Sequence, residues 1–458
     1  MKIIETKFKG LKIVEPAVYG DHRGWFSETY SKNKFLDHKI DIDFVQDNQS
    51  LSVKRGTLRG VHFQTDPKAQ TKLIRCTKGS IIDTVVDLRK GSDTYKEWFS
   101  IELTAENKKQ LLIPKGFGHA FLTITDNVEV QYKVDEYYSK EHDGSIRFDD
   151  PEIAIKWGEK DPILSEKDLN AVLLKDIDLG FSIKVLVTGV NGQLGYDVTK
   201  RLNDLGISNV GVCRKDFDLV NKEATQAFIM EYKPDVVVHC AAYTNVDGAE
   251  ENREECYAVN VEGTVNIAKA CRQIDAKMVY ISSDYVFGGE GEEPYSEYQE
   301  TAPINYYGYT KDKGEKAIQE ILEKYFIIRT SWLYGENGNN FVNKMFELAK
   351  SKKELNIIHD QVGSPTYTKD LAELVCEILQ TAKYGIYHGV NDGYCSWYDF
   401  AADIFKKMNI DIKLNPITTL EYPVKAKRPL NSRLSRGNIV KNGFSALPHW
   451  KDALGRFL

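Results

Sequence analysis

The chain lacks paired cysteines, long apolar runs and any excess of basic residues. Its seven cysteines are odd in number, scattered and mostly set inside apolar runs, which is not the pattern of a disulfide framework or a metal site. No segment approaches the length needed to cross a bilayer, and the N-terminal residues have no long apolar core. We therefore expect a cytoplasmic protein that has no membrane partner.

Net charge and length further restrict the classes of protein to which the chain can belong. A formal net charge of −6 at pH 7 gives no basic face, so a nucleic acid is not an expected partner. The 458 residues, of which 42% are hydrophobic and 28% charged, have the composition of a globular protein and leave room for two or three domains. We find neither an internal repeat nor a low-complexity segment.

A glycine-rich stretch in the middle of the chain organises the rest. An apolar run from Ile183 to Val187 leads into a turn with Gly189, Gly192 and Gly195, and a helical pattern follows. Strand, turn and helix in this order open a dinucleotide-binding unit, where glycines let the backbone approach a pyrophosphate at a helix N-terminus. Such a unit normally comes first in its fold, so we predict a separate domain before it.

Residues 183–458 are predicted to form an α/β domain with a doubly wound parallel sheet of the Rossmann type and a small substrate-binding lobe. Strand and helix patterns alternate along this segment, and ligands of such sheets lie beyond the carboxyl ends of the strands. Arg214 and Lys215 follow the second strand and suit the extra phosphate of NADP. We therefore predict NADPH as the cofactor. Asp216 and Asp218 come next in the sequence, so NADH stays an alternative.

Three further residues of this segment predict a reduction. Ser283 ends a later strand, and Tyr307 and Lys311 are four residues apart on a predicted helix, hence on one face. A lysine beside a phenol lowers the pKa of the phenol, so Tyr307 is the predicted proton donor to a carbonyl that receives a hydride. Ser283 is predicted to hydrogen-bond that carbonyl.

Residues 1–180 are predicted to form an all-β, cupin-like jelly roll, because short β-rich runs alternate with turn residues. The stretch 171–182 is too apolar for a free linker, so we expect it to pack on one or both domains. His62 and His119 first suggest a cupin metal site. Gln64 stands where another histidine would be needed, and no carboxylate follows at short spacing, so no metal is predicted.

Motifs of the first segment resemble those of the dTDP-4-dehydrorhamnose 3,5-epimerases: Asp21-His-Arg-Gly-Trp-Phe-Ser-Glu28, Gly56-Thr-Leu-Arg-Gly-Val-His-Phe-Gln64, Pro114-Lys-Gly-Phe-Gly-His119 and Leu164-Ser-Glu-Lys-Asp168. The resemblance implies that His62 is a base oriented by Asp168, that Tyr132 is the acid on the opposite face, and that Lys72 stabilises an enolate oxygen. It also implies a homodimer through this domain. The implied contacts to sugar, diphosphate and nucleotide are Arg23, Glu28, Gln46, Asn48, Arg59, His119 and Tyr138.

Motifs of the second segment resemble those of dTDP-4-dehydrorhamnose reductase, an extended short-chain dehydrogenase/reductase: Thr188-Gly-Val-Asn-Gly-Gln-Leu-Gly195, Ser282-Ser-Asp-Tyr-Val-Phe287 and Asn305-Tyr-Tyr-Gly-Tyr-Thr-Lys311. The implied cofactor contacts are Gly189, Asn191, Gly192, Gln193, Leu194, Gly195, Arg214, Asp218, Leu219, Ala241, Ala242, Tyr243, Tyr307 and Lys311. The implied substrate contacts are Thr244, Val246, Trp332 and Arg428. An equally supported alternative for Trp332 is packing in the hydrophobic core.

Together the two resemblances predict a bifunctional enzyme of dTDP-L-rhamnose synthesis. One domain would epimerise carbons 3 and 5 of dTDP-4-dehydro-6-deoxy-D-glucose, and the other would reduce the ketone at carbon 4 with NADPH. Two alternatives stay open. The substrate could be another nucleotide-linked 4-keto-6-deoxyhexose, or one domain could be a degenerate module that serves only for binding or oligomerisation.

Overall fold

The chain divides into two compact units, Met1–Ser182 and Ile183–Leu458, and the computed structural model describes residues 1–458. All seven cysteines are free thiols. No helix in either unit combines the length and the apolar composition that crossing a bilayer requires.

The first unit is built from two antiparallel sheets. Its strands are β1 (Lys2–Glu5), β2 (Lys12–Glu15), β3 (Val18–Asp21), β4 (Gly24–Ser27), β5 (Gln46–Ser52), β6 (Leu58–Gln64), β7 (Lys72–Lys78), β8 (Ser80–Asp87), β9 (Trp98–Thr104), β10 (Gln110–Ile113), β11 (Phe117–Thr123), β12 (Val128–Val134) and β13 (Asp143–Ser145). Its helices are α1 (Lys32–Asp37) and α2 (Glu166–Leu169). One sheet has the order β1-β2-β10-β7-β12-β5 and the other β13-β6-β11-β8-β9, while β3 and β4 form a separate hairpin.

Alternating residues of the two sheets form the core of the first unit. Ile74 on β7, Leu111 on β10 and Val130 on β12 belong to the same buried cluster as Val85 on β8, so the two sheets pack face to face. Each such side chain contributes about 1.5–3 kcal/mol on burial. The apolar stretch before residue 183 packs on this unit through Leu174, Leu179 and Phe181.

The second unit contains a six-stranded parallel sheet and eleven helices. Its strands are β14 (Val185–Thr188), β15 (Asn209–Val212), β16 (Val236–His239), β17 (Lys277–Ser283), β18 (Tyr325–Thr330), β19 (Leu333–Tyr334), β20 (Glu354–Ile358), β21 (Val362–Gly363), β22 (Thr366–Tyr367), β23 (Gly385–His388), β24 (Cys395–Ser396), β25 (Lys413–Ile417) and β26 (Asn431–Ser432). Its helices are α3 (Gln193–Asp204), α4 (Lys222–Tyr232), α5 (Val246–Glu251), α6 (Arg253–Tyr257), α7 (Gly263–Gln273), α8 (Tyr306–Ile321), α9 (Phe341–Ala349), α10 (Thr368–Ile378), α11 (Trp397–Lys407), α12 (Gly437–Lys441) and α13 (Trp450–Phe457).

Helices cover both faces of the parallel sheet, whose order is β15-β14-β16-β17-β18-β23. Val185 and Val187 of β14 pack with residues of α3 and α10, whereas Leu186 packs with residues of α4 and α7. This explains why the first three residues of β14 are all apolar rather than alternating with polar residues. Because the chain moves from β14 to β15 on one side and then to β16 on the other, β14 marks the switch point at which such sheets bind ligands.

Candidate active site

Two histidines lie on neighbouring strands of the first unit, and each contacts a carboxylate. His62 on β6 is the register partner of His119 on β11. His62 Nε2 lies 2.5 Å from Asp168 Oδ1, and His119 Nε2 lies 2.9 Å from Asp83 Oδ2. The structure therefore places two histidine–carboxylate pairs side by side.

A glycine allows these two strands to approach closely. Gly60 has a φ of +131°, and a Cβ built on it would lie 2.4 Å from the Cβ of Ala120. The register between β6 and β11 shifts just beyond the histidine pair, between His119 and Phe121. Bulges of this kind redirect side chains next to active sites, and here the close approach requires glycine.

The start of α2 fixes the carboxylate that contacts His62. Ser165 caps the helix by accepting the Asp168 backbone N–H at 3.2 Å, and its hydroxyl donates to Asp168 Oδ2 at 2.8 Å. Burial raises the pKa of Asp168, but the hydrogen bonds from His62 and Ser165 outweigh burial and leave this pKa below its ordinary value. An ionised Asp168 holds the proton of His62 on Nε2, which leaves Nδ1 as the basic nitrogen.

Lys72 and Tyr132 belong to the facing sheet, on β7 and β12. Burial lowers the pKa of Lys72 to about 8, while the nearby carboxylates of Asp143 and Asp83 act in the opposite direction. Burial also raises the pKa of Tyr132, which Arg59 and Asp143 influence as well. The shared neighbour Asp143 places both side chains in one polar region with the His119–Asp83 pair.

Three of the predicted nucleotide-sugar contacts lie close to this region. Asn48 on β5 is the register partner of Tyr132 and accepts the Gln46 amide at 2.8 Å. Arg59 donates from Nε to the Ser52 hydroxyl at 3.1 Å. Tyr138, by contrast, is exposed, and its hydroxyl contacts Asp143 at 3.3 Å.

The structure does not bring Arg23 and Glu28 to the histidines within one chain. Arg23 lies in the turn of the β3–β4 hairpin, where it pairs with Asp21 at 2.6 Å, and Glu28 follows β4 directly and pairs with Lys34 at 2.7 Å. The hairpin exposes Tyr19, Trp25 and Phe26 by 60% or more. So large an exposed aromatic surface is typical of a face that another protein surface covers.

A cavity of about 880 Å³ opens at the carboxyl ends of the parallel strands in the second unit. All predicted cofactor contacts line it: Gly189, Asn191, Gly192, Gln193, Leu194, Gly195, Arg214, Asp218, Leu219, Ala241, Ala242, Tyr243, Tyr307 and Lys311. Ser283, Thr244, Val246 and Trp332 line it as well. Arg428 lies outside the lining, where it donates to Asp247 at 2.9 Å.

The glycine turn fits the close approach of a diphosphate. A Cβ on Gly189, whose φ is +73°, would lie 2.7 Å from the Ala241 nitrogen, and one on Gly195 would lie 2.4 Å from the Gly189 oxygen. Helix α3 begins directly after this turn, so its free N–H groups and positive end suit an anion. Asn337, which sequence reasoning did not select, donates to the Asn191 oxygen at 3.0 Å and so braces the turn.

Ser283, Tyr307 and Lys311 meet in the same cavity. The Ser283 hydroxyl lies close enough to the Tyr307 hydroxyl to lower the pKa of that phenol. The Ser283 hydroxyl donates to Asp284 Oδ1 at 2.9 Å and accepts the Tyr285 backbone N–H at 3.2 Å. The Lys311 ammonium donates to the Ile281 carbonyl at 2.7 Å.

The predicted lowering of the Tyr307 pKa is wrong. Burial raises the pKa of Tyr307, and the nearby Ser283 hydroxyl offsets only part of that rise. Lys311 does not act as the expected cation beside the phenol, because it is held by Ile281 and lies over the Tyr280 ring, and burial lowers its own pKa to about 7. A high pKa keeps Tyr307 protonated at neutral pH, which is the state a proton donor needs.

Trp332 packs against a second indole and also lines the cavity, so both of its predicted roles stay open. Its ring stacks on Trp397 with centroids 3.6 Å apart and planes 12° apart, and both indoles line the cavity. Its backbone adopts a φ of +47°, a strained conformation for a bulky residue, and such strain is concentrated at functional sites. Gly363 leaves room for the indole, since a Cβ there would lie 2.9 Å from a ring carbon.

Other residues to which sequence reasoning assigned no role also contact the predicted site residues: Asp83, Asp143, Asp247, Asp284 and Trp397. Only Asp284 is adjacent in sequence to its partner, so the others had no local signal. No group of three or more histidine, cysteine or acidic side chains is placed to hold a metal ion.

Comparison with known proteins matches the two units of the chain to two families. Residues 183–458 match the RmlD substrate binding domain, and residues 5–176 match dTDP-4-dehydrorhamnose 3,5-epimerase. The chain belongs to the dTDP-4-dehydrorhamnose reductase family. It joins a dTDP-4-dehydrorhamnose 3,5-epimerase domain to a dTDP-4-dehydrorhamnose reductase domain, as the motifs predicted.

Individual relatives match one half of the chain or the other. The dTDP-4-dehydrorhamnose reductase of Escherichia coli K12 is 38% identical over 290 residues, which cover 60% of this chain and 97% of the relative. A crystal structure of the Bacillus anthracis reductase in complex with NADP is 42% identical, covers 60% of this chain and 98% of that chain, and has a TM-score of 0.59. The Bacillus anthracis 3,5-epimerase with TDP and PPi bound is 50% identical, covers 38% of this chain and 99% of that chain, and has a TM-score of 0.37.

Proposed function

We propose that this chain converts dTDP-4-dehydro-6-deoxy-D-glucose into dTDP-L-rhamnose by epimerising carbons 3 and 5 and then reducing the ketone at carbon 4. One observation carries the proposal: each unit gathers the groups for one step, with His62, Asp168 and Lys72 in the first and Tyr307 beside the glycine turn in the second. We assign residues 1–180 to a jelly-roll epimerase domain and residues 183–458 to a Rossmann reductase domain.

Epimerisation requires removal of a proton beside the ketone and its return from the opposite face. His62 takes the proton on Nδ1, because Nε2 is engaged by Asp168. The Asp168 carboxylate stabilises the imidazolium that results. Lys72 stabilises the negative charge on the enolate oxygen, and Tyr132, protonated because burial raises its pKa, supplies the returning proton.

Reduction requires a hydride and a proton. The residues of the glycine turn and Arg214 would hold NADPH, which supplies the hydride to carbon 4. Tyr307 gives its proton to the ketone oxygen, and Ser283 orients that oxygen. Trp332 forms an apolar wall for the sugar, and Arg428 binds the nucleotide end through a planar guanidinium whose Nη1 is buried without a partner.

We further propose that the first unit forms a homodimer through the β3–β4 hairpin. Its exposed aromatic residues support a protein partner, and Arg23 and Glu28 would then reach the site of the second subunit.

Analytical ultracentrifugation of the Trp25→Ser/Phe26→Ser variant should show a lighter species than the wild-type chain. Mixing this variant with the His62→Asn chain should restore no epimerase activity.

The direct test supplies dTDP-4-keto-6-deoxyglucose and NADPH to the full-length chain and identifies the sugar by NMR. Formation of dTDP-L-rhamnose is the expected result. Preference for the UDP-linked ketosugar would favour another nucleotide sugar as substrate. NADPH consumption without deuterium uptake from solvent at carbons 3 and 5 would mean that the first unit is a binding module.

The rate of deuterium uptake should fall as the pH rises through about 8, because that is the pKa to which burial lowers Lys72. A lysine is charged below its pKa, so enolate stabilisation is complete near neutral pH and is lost on the alkaline side, by about tenfold per pH unit. The measurement is a pH–rate profile followed by NMR. Lys72→Arg keeps its charge, and its profile should stay flat through this range; an alkaline fall in both would assign the loss to another group.

Arg214→Ala should raise the KM for NADPH by about tenfold and leave the KM for NADH within about twofold, since one charge-assisted hydrogen bond to the extra phosphate is lost. Arg214 is exposed, with Asp218 and Glu255 at 3.7 and 3.6 Å, so the effect is smaller than at a buried site. Lys215→Ala is the matched control, because Lys215 does not line the cavity. Equal changes for both cofactors would argue against a phosphate contact.

A further inference from the structure

Asp284 lies beside the Ser283 hydroxyl in an environment that disfavours its charge. It is 4% exposed and lines the reductase cavity. Its Oδ1 accepts the Ser283 hydroxyl at 2.9 Å, whereas Oδ2 has no donor in hydrogen-bonding geometry, although Ser432 lies close by. A buried carboxylate oxygen without a donor costs free energy, so its position calls for a functional reason.

The direction of the hydrogen bonds around Ser283 follows from counting protons. A serine hydroxyl has one proton, and Ser283 donates it to Asp284. The Tyr307 hydroxyl lies near the same oxygen, so while Ser283 donates to Asp284 only Tyr307 can donate between the two hydroxyls. Both hydroxyl protons therefore point toward Asp284 and away from a ketone in the cavity.

We propose that Asp284 is a positioning residue of the reduction, which draws the Ser283 proton to itself when ionised and releases it toward Tyr307 and the ketone when protonated. The inference rests on the reduction proposed above. In the protonated state the ketone carbon gains the hydride and the ketone oxygen gains the Tyr307 proton. Ser283 then returns a proton to Tyr307, and Asp284 returns one to Ser283. Asp284 ends as a carboxylate and regains a proton from water.

The surroundings of Asp284 make both states accessible near neutral pH. Burial raises its pKa to about 6, while the nearby hydroxyls of Ser432 and Ser283 act in the opposite direction. The titratable groups that interact with it are Tyr285 on its own turn and Tyr307 on α8. Lys311 lines the same cavity, and Arg428 and Asp247 influence Tyr285. Because the pKa of Lys311 is about 7, the experiment has to separate these two titrations.

The test compares Asp284→Asn with the wild-type full-length chain. Hydride transfer is followed as the first turnover of NADPH oxidation, with an excess of the Tyr307→Phe chain present so that epimerised ketosugar never limits. The wild-type rate should fall by up to about tenfold per pH unit above the Asp284 titration. An amide donates to Ser283 at every pH, so Asp284→Asn should lose this fall, and any fall that remains near pH 7 belongs to another group such as Lys311.

A double-mutant comparison separates positioning from a purely structural role. In a Ser283→Ala background, Asp284→Asn should change the rate by less than about twofold, because no hydroxyl is left to turn. Infrared difference spectra of the ligand-free protein on either side of the pKa of about 6 should contain a carboxylic acid band that Asp284→Asn lacks.

Either of two kinetic results would overturn the positioning role: a pH profile that Asp284→Asn leaves unchanged, or an equal effect of that change with and without the Ser283 hydroxyl. Absence of the infrared band would do the same. NADPH binding and thermal unfolding of Asp284→Asn establish that it is folded. If the wild-type chain oxidises no NADPH at any pH, the proposed reduction fails first, and this inference fails with it.

Discussion

Tyr307→Phe should lower the rate of NADPH oxidation by about 10²–10⁴-fold, the usual contribution of a positioned proton donor. The phenyl ring keeps the packing and removes only the hydroxyl that contacts Ser283. Deuterium uptake at carbons 3 and 5 should continue at the wild-type rate, because the groups proposed for that step belong to the first unit. The measurements are NADPH absorbance and NMR on the same sample.

Tyr309→Phe is the matched control for this prediction. Tyr309 lies on the same helix two residues further on and is 39% exposed, so loss of its hydroxyl should leave both activities unchanged. If Tyr307→Phe retained most of the reductase rate, Tyr307 would not be the proton donor. A fall in both activities would instead indicate a folding defect.

His62→Asn should lower deuterium uptake beside the ketone by about 10²–10⁴-fold, because asparagine cannot accept the proton that Nδ1 takes. Asn can still donate to Asp168, so the buried carboxylate stays paired. NADPH oxidation should also fall when the unepimerised ketosugar is supplied. It should recover when the Tyr307→Phe chain is added, since that chain makes the epimerised sugar.

His38→Asn is a control on a histidine exposed at the end of α1, where the same substitution should change nothing. Failure of the Tyr307→Phe chain to restore NADPH oxidation would mean that His62→Asn has damaged the reductase as well. Undiminished deuterium uptake in His62→Asn would remove His62 from the mechanism.

The two-domain architecture followed from the sequence because each domain has a strong local pattern. The run from Ile183 to Gly195 carries strand, turn and helix signals within a few residues of each other. All predicted cofactor contacts line one cavity because the carboxyl ends of parallel strands meet at one edge of the sheet. Contacts of this kind depend on topology, which the strand and helix pattern predicts.

Other contacts and pKa values of the two sites depend on tertiary packing, which no local sequence pattern predicts. Asp83 reaches His119 from a neighbouring strand, and Trp397 reaches Trp332 from a distant helix. The pKa of Tyr307 was predicted in the wrong direction, because the sequence gives the spacing of Lys311 but not how deeply the phenol is buried. Arg23 and Glu28 stay apart from the histidines within one chain, so their proposed role depends on a second subunit.

The stacked indoles of Trp332 and Trp397 have a spectroscopic consequence. Two nearly parallel indoles in van der Waals contact share their excited states, and when their transition moments are twisted about the stacking axis this coupling gives a paired positive and negative signal in circular dichroism. Both rings line the cavity, so a sugar or a nicotinamide that enters it changes their environment directly. The protein thus contains an intrinsic optical reporter of ligand entry into its reductase half, one that needs no label and no turnover.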